Sequence, residues 1–169
     1  MPEEERIKHD RYLCTPMATK DGIYIKNRKA RFNYEILDTL EAGIKLQGTE
    51  IKAIRQGRAS LPESYCYFKE GRLYVKNMHV AEYDHGNIQN HEPLRERLLL
   101  LHKRELGKWE DQVEKGNRTI VPLALYINGK GLAKMKIALA QGKKTYDKRH
   151  SLKEKDLKRE MDRAMKGRR

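Results

Sequence analysis

Residues 119–142, TIVPLALYINGKGLAKMKIALAQG, contain the pattern that decides the fold. Two apolar runs flank Asn128-Gly129, a dipeptide that favours a tight reversal between antiparallel strands. The segment therefore predicts a long β-hairpin. We expect this hairpin to close the folded part of the chain, because the residues that follow are rich in lysine and arginine and have no comparable apolar run.

Segments upstream of this hairpin also have the spacing of strands. Apolar residues alternate at period two through residues 34–46 on both sides of Glu41-Ala42-Gly43, which predicts two strands joined at a turn or bulge. Residues 64–80 predict a second hairpin that turns at Glu70-Gly71, because β-favouring residues occupy both arms. We expect the tyrosines of these arms, at positions 65, 67 and 74, to pack in the barrel.

Two short helices are predicted between the strands. Thr49 can accept a hydrogen bond from the first free amides of a helix that ends near Gly57. Leu106, Trp109 and Val113 recur at helical spacing and predict an amphipathic helix with Trp109 in the core. Residues 82–96 are polar and predict a long loop, whereas the apolar run 98–101 is too short to assign.

These elements predict a mostly β fold, because five or six short strands occur without strand–helix–strand alternation. A small OB-like closed barrel with short flanking helices satisfies the pattern and leaves no exposed sheet edge. The expected organisation is an N-terminal extension at 1–24, the barrel at 25–140 and a basic C-terminal tail at 141–169.

Charge predicts the class of partner. The chain has 37 Lys and Arg against 24 Asp and Glu, a net charge of +13. Residues 141–169 contain 12 basic and 5 acidic residues, so this short segment holds more than half of the excess. A polyanion is the expected partner, and nucleic acid is favoured over a membrane because the tail has no Trp, Phe and Leu face.

Other classes of protein are disfavoured. No apolar stretch is long enough to span a membrane, and the acidic start MPEEERIKHDRYL lacks a secretory signal, so a cytoplasmic location is expected. Cys14 and Cys66 form neither a disulfide framework nor a zinc motif. We therefore expect no metal, and we expect no cofactor. The protein is also expected to be a monomer.

The tail has a helix start of its own. Ser151 and Glu154 have the spacing of a capping box, and an apolar stripe follows at Leu157, Met161, Ala164 and Met165. A helix of this length is marginal in water, and repulsion among its cations weakens it further. The tail is therefore expected to be disordered when free and helical when bound to a polyanion.

Several segments together carry a family resemblance. They are NRKARFNYEILDTLEAGIKLQGTEIKAIRQGRASLPESY (27–65), NMHVAEY (77–83) with GNIQNHEPLRERLLLLHKREL (86–106), and KIALAQGKKTYDKRHSLKEKDLKRE (136–160). In this order they strongly resemble small protein B, the bacterial partner of transfer-messenger RNA. The resemblance implies an OB-like barrel that binds the tRNA-like domain of this RNA and delivers it to stalled ribosomes for trans-translation. The alternative is a general RNA-binding or ribosome-associated OB-fold protein.

The resemblance also implies site residues. With the basic patch at 26–31, it assigns the tRNA-like domain to Lys26, Asn27, Arg28, Glu41, Arg55, Lys134 and Lys143. It assigns the empty decoding site and message channel of the small subunit, and hence ribosomal RNA, to Tyr146, Asp147, Lys148, Arg149, Lys153, Lys155, Lys158 and Arg159. Elongation factor Tu is a candidate partner through the RNA complex.

Three positions depart from the family pattern. Tyr146 stands where some relatives have histidine, and its ring can still stack on an exposed base. Gln141 replaces a common lysine, which removes one expected phosphate contact. Leu98 replaces a basic residue and is expected to enlarge an apolar patch.

An enzyme is the weaker alternative. His79, His85 and His91, with Asp84 and Glu92, are close enough in sequence to suggest acid–base or metal chemistry. Their intervals of six match no local metal motif, and polar histidines in a loop beside RNA are ordinary. We therefore expect no catalytic residues.

Overall fold

The computed structural model describes residues 17–19, 22–84, 86, 90–143 and five positions between 157 and 165. Within these residues the strands are β1 (Met17–Thr19), β2 (Gly22–Lys26), β3 (Tyr34–Ile44), β4 (Ala59–Ser60), β5 (Tyr65–Lys69), β6 (Arg72–Lys76), β7 (His79–Val80), β8 (Arg97–Leu100), β9 (Arg118–Ile127) and β10 (Ala133–Gly142). The helices are α1 (Ala30–Asn33), α2 (Gly48–Arg55) and α3 (Lys103–Glu114).

Six of the strands form a closed ring. The main sheet has the order β1-β2-β9-β10-β3-β8-β6-β5, and β5 pairs again with β9, where Cys66 lies opposite Ile120. Strands β4 and β7 form a separate small sheet. The ring confirms the prediction of a mostly β, barrel-like fold with short helices.

Alternating side chains fill the interior of the ring. Leu73 and Val75 on β6 and Met135 and Ile137 on β10 are at most 1% exposed. Burying side chains of this size contributes about 1.5–3 kcal/mol each. Trp109 on α3 joins the same core, as predicted, and its indole N–H donates to Asp38 Oδ2 at 3.3 Å.

The structure corrects the predicted break in residues 34–46. β3 runs without interruption through Glu41-Ala42-Gly43, because β10 pairs with it from Gly43 back to Tyr34. The irregularity lies further towards the start of the same strand: Leu139 and Ala140 of β10 lie opposite Asp38 and Ile36, so Leu37 of β3 is the extra residue of a bulge. A continuous ladder satisfies the backbone of both strands better than a turn in the middle of one.

The predicted hairpin at 119–142 is confirmed, but its reversal is longer than the Asn128-Gly129 dipeptide. It spans Asn128 to Leu132, where the Leu132 amide donates to Asn128 Oδ1 at 2.8 Å. Gly131 has a φ of +77°, a conformation that glycine adopts without a steric cost. The Asn128 side chain therefore substitutes for part of the backbone pairing of a tighter turn.

The hairpin of β5 and β6 turns at Glu70-Gly71, as predicted, and both residues have positive φ. The expectation for Tyr65, Tyr67 and Tyr74 was wrong. These tyrosines lie on the outer face of the hairpin, because the alternate residues, including Cys66 and Leu73, occupy the interior.

Helix α2 confirms the predicted helix but begins differently. Its N-cap is Gln47, whose backbone amide donates to Glu50 Oε2 at 2.6 Å. Thr49 is not the cap, because its hydroxyl lies 2.9 Å from His91 Nδ1. α3 confirms the second predicted helix, and the unassigned run 98–101 belongs largely to β8.

A buried ion pair holds the loop before β8 against α2. Glu50 and Arg97 are fully buried, and Arg97 Nε donates to Glu50 Oε1 at 2.8 Å. Arg97 also donates to the backbone carbonyls of Met78 and Arg95, at 2.7 and 2.9 Å. Arg95 donates to the same carboxylate. Multiple hydrogen bonds offset the cost of removing these charges from water.

The sheet reaches into the segment assigned to the N-terminal extension. β2 pairs with β9, placing Tyr24 opposite Tyr126, and β1 pairs with β2. At the C-terminal end of the chain, the described positions of the tail are helical and exposed. The apolar residues among them, Leu157, Met161 and Met165, are 59–70% exposed. Most of the tail, with Ser151, Glu154 and Ala164, lies outside the described residues.

Candidate nucleic-acid interface

Glu41, Tyr126 and Lys134 meet on the outer face near the reversal between β9 and β10. Lys134 Nζ lies 3.8 Å from Glu41 Oε2, and both side chains are about half exposed. Burial, together with a hydrogen bond to Glu41, raises the pKa of Tyr126 to about 12. The Tyr126 hydroxyl therefore keeps its proton near neutral pH, and Glu41 is held between a donor and a cation.

An aromatic pair extends this group. The rings of Tyr24 and Tyr126 stack across β2 and β9, with centroids 5.9 Å apart and planes inclined by 25°. Arg55, at the end of α2, donates from Nη2 to the carbonyl of Gly131 at 3.3 Å and so approaches the same turn. These five side chains form what is termed here the hairpin-end cluster: Tyr24, Glu41, Arg55, Tyr126 and Lys134.

The second part of the interface is the basic turn, residues 26–31, which joins β2 to α1. Asn27 is 4% exposed, and its amide donates to the carbonyls of Pro122 and Leu61 at 3.0 and 3.3 Å. Its side-chain oxygen accepts from the Ala30 amide at 3.1 Å. The Asn27 side chain is thus engaged within the chain and shapes the turn.

Exposed cations project from this turn. Lys26, Arg28 and Arg31 are exposed, and Lys29 pairs with Glu63 at 3.1 Å. Lys143, just after β10, lies beside them: its amide donates to Asn33 O at 3.0 Å, and its Nζ to Arg31 O at 3.3 Å. The turn therefore gathers positive charge from two distant parts of the sequence.

The seven predicted barrel residues divide between these two groups. Lys134 and Lys143 lie at opposite ends of β10, about 30 Å apart for an extended strand. In the strand register, Ala124 of β9 lies between Lys26 of β2 and Lys136 of β10, and Lys136 lies opposite Glu41 of β3. This row across four strands connects the basic turn with the hairpin-end cluster. A face of this length suits a folded RNA, whose backbone phosphates and ribose hydroxyls present many contacts.

Tyr24, Tyr126 and Lys136 were not predicted from the sequence as site residues. For Lys136 the signal was present in β10, where Met135 and Ile137 are buried and Lys134 and Lys136 alternate with them. β9 is buried without interruption from Ile120 to Leu125, so alternation gave no such signal for Tyr126. The stacking of Tyr24 on Tyr126 was not available from sequence, because it depends on the register of β2 against β9.

The predicted ribosome-contacting residues, Tyr146, Asp147, Lys148, Arg149, Lys153, Lys155, Lys158 and Arg159, lie outside the described residues. The structure describes two of the three positions that depart from the family pattern, Gln141 and Leu98. Gln141 is exposed near the end of β10, and Leu98 lies on the outer face of β8 opposite Tyr74.

The histidines of the enzyme alternative do not form a cluster in the described part of the chain. His91 is buried, with Nδ1 2.9 Å from the Thr49 hydroxyl and Nε2 3.2 Å from the carbonyl of Val80. Asp84 pairs instead with Arg58 at 2.6 Å, and His85 lies outside the described residues. Among the residues that the structure describes, no group of three His, Cys, Asp or Glu could hold a metal ion.

A small β-barrel with stacked tyrosines and cations along one outer face belongs to the class of RNA-binding barrels. The family model described as SmpB protein matches residues 24–167 of this chain. The chain therefore belongs to the SmpB family.

None of the helices within the described residues has the length and apolarity needed to cross a bilayer.

The relatives agree with this assignment. The chain is 60% identical to the SsrA-binding protein of Phocaeicola vulgatus over 144 residues, covering 85% of this chain and 96% of that one. It is 55% identical to the SsrA-binding protein of Christiangramia forsetii over 155 residues, covering 92% and 98%. The SsrA-binding protein of Staphylococcus aureus strain Newman is 54% identical over 147 residues, covering 87% and 95%.

A solved structure is similar as well. One of its chains, from work described as "tmRNA-SmpB: a journey to the center of the bacterial ribosome", matches with a TM-score of 0.62 and 46% identity. The match covers 72% of this chain and 85% of that one. The similarity of the folded structures therefore agrees with the family assignment made from the sequence.

Proposed function

We propose that this protein binds the tRNA-like domain of transfer-messenger RNA and delivers it to stalled ribosomes for trans-translation. The observation that carries the proposal is the extent of the family match, residues 24–167, which takes in both the barrel and the tail. The function needs both parts, because one RNA must be held while the chain engages a second.

The barrel supplies the RNA grip. The basic turn and Lys143 neutralise backbone phosphates, while the hairpin-end cluster offers a carboxylate, a protonated phenol and a stacked ring pair to unpaired bases and riboses. Asn27 contributes by fixing the backbone from which Arg28 and Lys29 project. Shape and phosphate contacts together select a folded RNA over a random polyanion.

The tail supplies the ribosome contact. Asp147, Lys148 and Arg149 enter the vacant decoding site, and residues from Lys153 onward follow the empty message channel. The described tail positions are helical, but they are exposed. Such a helix is marginal by itself, so the segment is largely unfolded when free and gains its helix as ribosomal RNA neutralises its cations. Circular dichroism of a peptide of residues 142–169 tests this: helix content rises when RNA is added, whereas full helicity in low-salt buffer alone contradicts it.

The protein acts without catalysis of its own. Its domains are the extension at 1–24, the barrel at 25–140, whose sheet also takes in β1 and β2 and ends at Gly142, and the tail at 141–169. It works as a monomer in the cytoplasm, where stalled ribosomes occur. Elongation factor Tu reaches it through the shared RNA. Support comes from the RNA-binding family and from His91, whose ring nitrogens both have partners within the chain.

Isolation of the protein from a bacterial lysate, followed by sequencing of the bound RNA, tests the proposal. Transfer-messenger RNA should be enriched above ribosomal and transfer RNA at physiological salt. In competition, an isolated tRNA-like domain should displace the bound RNA at far lower concentration than an unrelated hairpin of equal length. Equal displacement by both RNAs would indicate a general RNA-binding protein, because phosphate neutralisation alone does not distinguish sequences.

A further inference from the structure

Glu41 is a carboxylate among cations on the proposed RNA-binding face. Lys136 lies directly opposite Glu41 in the strand register, and Lys26 lies on the same row. A carboxylate repels the phosphates that these cations attract. Glu41 therefore lowers the attraction of the face for RNA in general. It is suited to a hydrogen-bond donor of the RNA, because an ionised carboxylate only accepts hydrogen bonds.

The pair of Glu41 and Lys134 keeps free hydrogen-bonding capacity. Lys134 Nζ and Glu41 Oε2 are 3.8 Å apart, which is too long for a direct hydrogen bond. Tyr126 donates to Glu41, but a carboxylate has about four acceptor sites and an ammonium group has three donors. The side chains of Lys134 and Glu41 are 40% and 55% exposed, so one ligand can reach both of them.

The surroundings of the pair admit a planar group. Gly43 follows Glu41 on the same outer face of β3 and lies opposite Lys134, so this position contributes no side chain. A β-carbon added at Gly43 would lie 3.4 Å from the β-carbon of Leu100 on the next strand. On the other side of Lys134, the ring of Tyr126 lies opposite it in register. The recess at Gly43 is therefore bordered by an apolar side chain and by an aromatic ring.

Guanine is the base whose edge matches this pair of charges. Its Watson–Crick edge carries two neighbouring donors, N1–H and the 2-amino group, beside the acceptor O6. The two donors suit the carboxylate, and O6 suits the ammonium group. Adenine and cytosine each place a ring-nitrogen acceptor beside their amino group, which a carboxylate repels. Uracil has a single donor between two carbonyl oxygens.

We propose that Glu41 and Lys134 form a subsite for one unpaired guanine base of the bound RNA. The carboxylate oxygens of Glu41 accept from N1–H and the 2-amino group, and Lys134 Nζ donates to O6. Glu41 sets the specificity, because a phosphate or another base in this place would bring an acceptor against the carboxylate. The inference rests on the proposed function, since it names a base by which the barrel recognises the tRNA-like domain.

The test combines an altered base with an altered side chain. Synthetic tRNA-like-domain RNAs are made in which one unpaired guanosine at a time is replaced by inosine, which lacks only the 2-amino group. A second set carries 2′-deoxyguanosine at the same positions. Each RNA is titrated against the parent, Glu41→Gln and the matched control Glu35→Gln, which alters an exposed glutamate on the same strand. Glutamine keeps the size of the side chain but replaces one acceptor oxygen by a donor.

At one position, inosine should raise the dissociation constant at least about fivefold with the parent and with Glu35→Gln. The same replacement should change it by less than about twofold with Glu41→Gln. For an unrelated hairpin RNA, Glu41→Gln should bind as tightly as the parent or more tightly, because a charge that repels phosphates is gone. A merely structural role of Glu41 would weaken binding of both RNAs.

The inference is overturned by the absence of an inosine effect with the parent at every position, or by an equal effect with Glu41→Gln. It is also overturned if 2′-deoxyguanosine, and not inosine, gives the effect that depends on Glu41, because the carboxylate would then contact a ribose hydroxyl. These results leave the proposed function intact as long as the parent prefers the tRNA-like domain to the unrelated hairpin. Equal affinity of the parent for both RNAs would refute the proposed function and the inference together.

Discussion

Arg55 and Gly131 are 76 positions apart in sequence, yet Arg55 Nη2 donates to the Gly131 carbonyl at 3.3 Å. The contact joins the end of α2 to the reversal between β9 and β10. It places a guanidinium beside the turn that leads into β10, whose second residue is Lys134. The proposed RNA-binding face is thus assembled from a helix end, two neighbouring strands and a turn.

Replacing Glu41→Ala should weaken binding of the tRNA-like domain by about tenfold, because the carboxylate orders both Lys134 and Tyr126. Stability should change by less than about 0.5 kcal/mol, since exposed ion pairs contribute little. Isothermal titration calorimetry and urea unfolding measure the two quantities. Glu35→Ala, an exposed glutamate on the same strand, is the matched control and should bind normally. Equal affinity of the two variants would contradict the assigned role.

Asn27→Ala should destabilise the fold by about 2–4 kcal/mol, because two buried carbonyls and one amide lose their partner. Lys26→Ala changes the exposed residue just before Asn27 and should leave stability unchanged. It should lower the affinity for RNA and reduce, by about one, the steepness with which the logarithm of the association constant falls with the logarithm of the salt concentration. Urea unfolding and binding at several salt concentrations separate the effects. An Asn27→Ala protein as stable as the parent would exclude its structural role.

Glu50→Gln should remove about 3–5 kcal/mol of stability at neutral pH, because two arginines would lose their buried counter-charge. Burial alone would raise the pKa of Glu50, but its hydrogen bonds to Arg95 and Gln47 and the charge of Arg97 outweigh it and lower the pKa below 4.5. The ionised carboxylate therefore stabilises the fold above about pH 4.5, and this contribution is lost as pH falls through the lowered pKa.

The parent protein should accordingly lose more stability between pH 6 and pH 3 than the Glu50→Gln protein. Urea unfolding at several pH values measures this difference. Parallel pH profiles for the two proteins would show that the Glu50 carboxylate does not titrate as the buried pair requires.

Sequence reasoning succeeded where local patterns determine the structure. Asn128-Gly129 located the main reversal, Glu70-Gly71 located the second, and the spacing of Leu106, Trp109 and Val113 located α3. Such signals depend on nearby residues, so one sequence is enough to read them. They also gave the mostly β fold class.

It failed where a long-range pairing decides the outcome. β3 stays continuous through Gly43 because β10 pairs along its length, and no residue within β3 encodes that partner. Tyr67 and Tyr74 were assigned to the interior, because strand alternation alone does not tell which face is buried. The hydrogen bonds of the Asn27 amide within the chain were not predicted, because its partners Leu61 and Pro122 lie 34 and 95 positions away.

The most direct test of the account cuts the chain after Lys143, just beyond β10, so that this cation of the barrel face is kept, and measures two activities of the truncated protein. Affinity for the tRNA-like domain, measured by gel shift, should stay within a few-fold of the full chain. Addition of the tag to nascent peptides on ribosomes stalled at a message lacking a stop codon should be lost. Normal tagging by the truncated protein would contradict the division of work between barrel and tail.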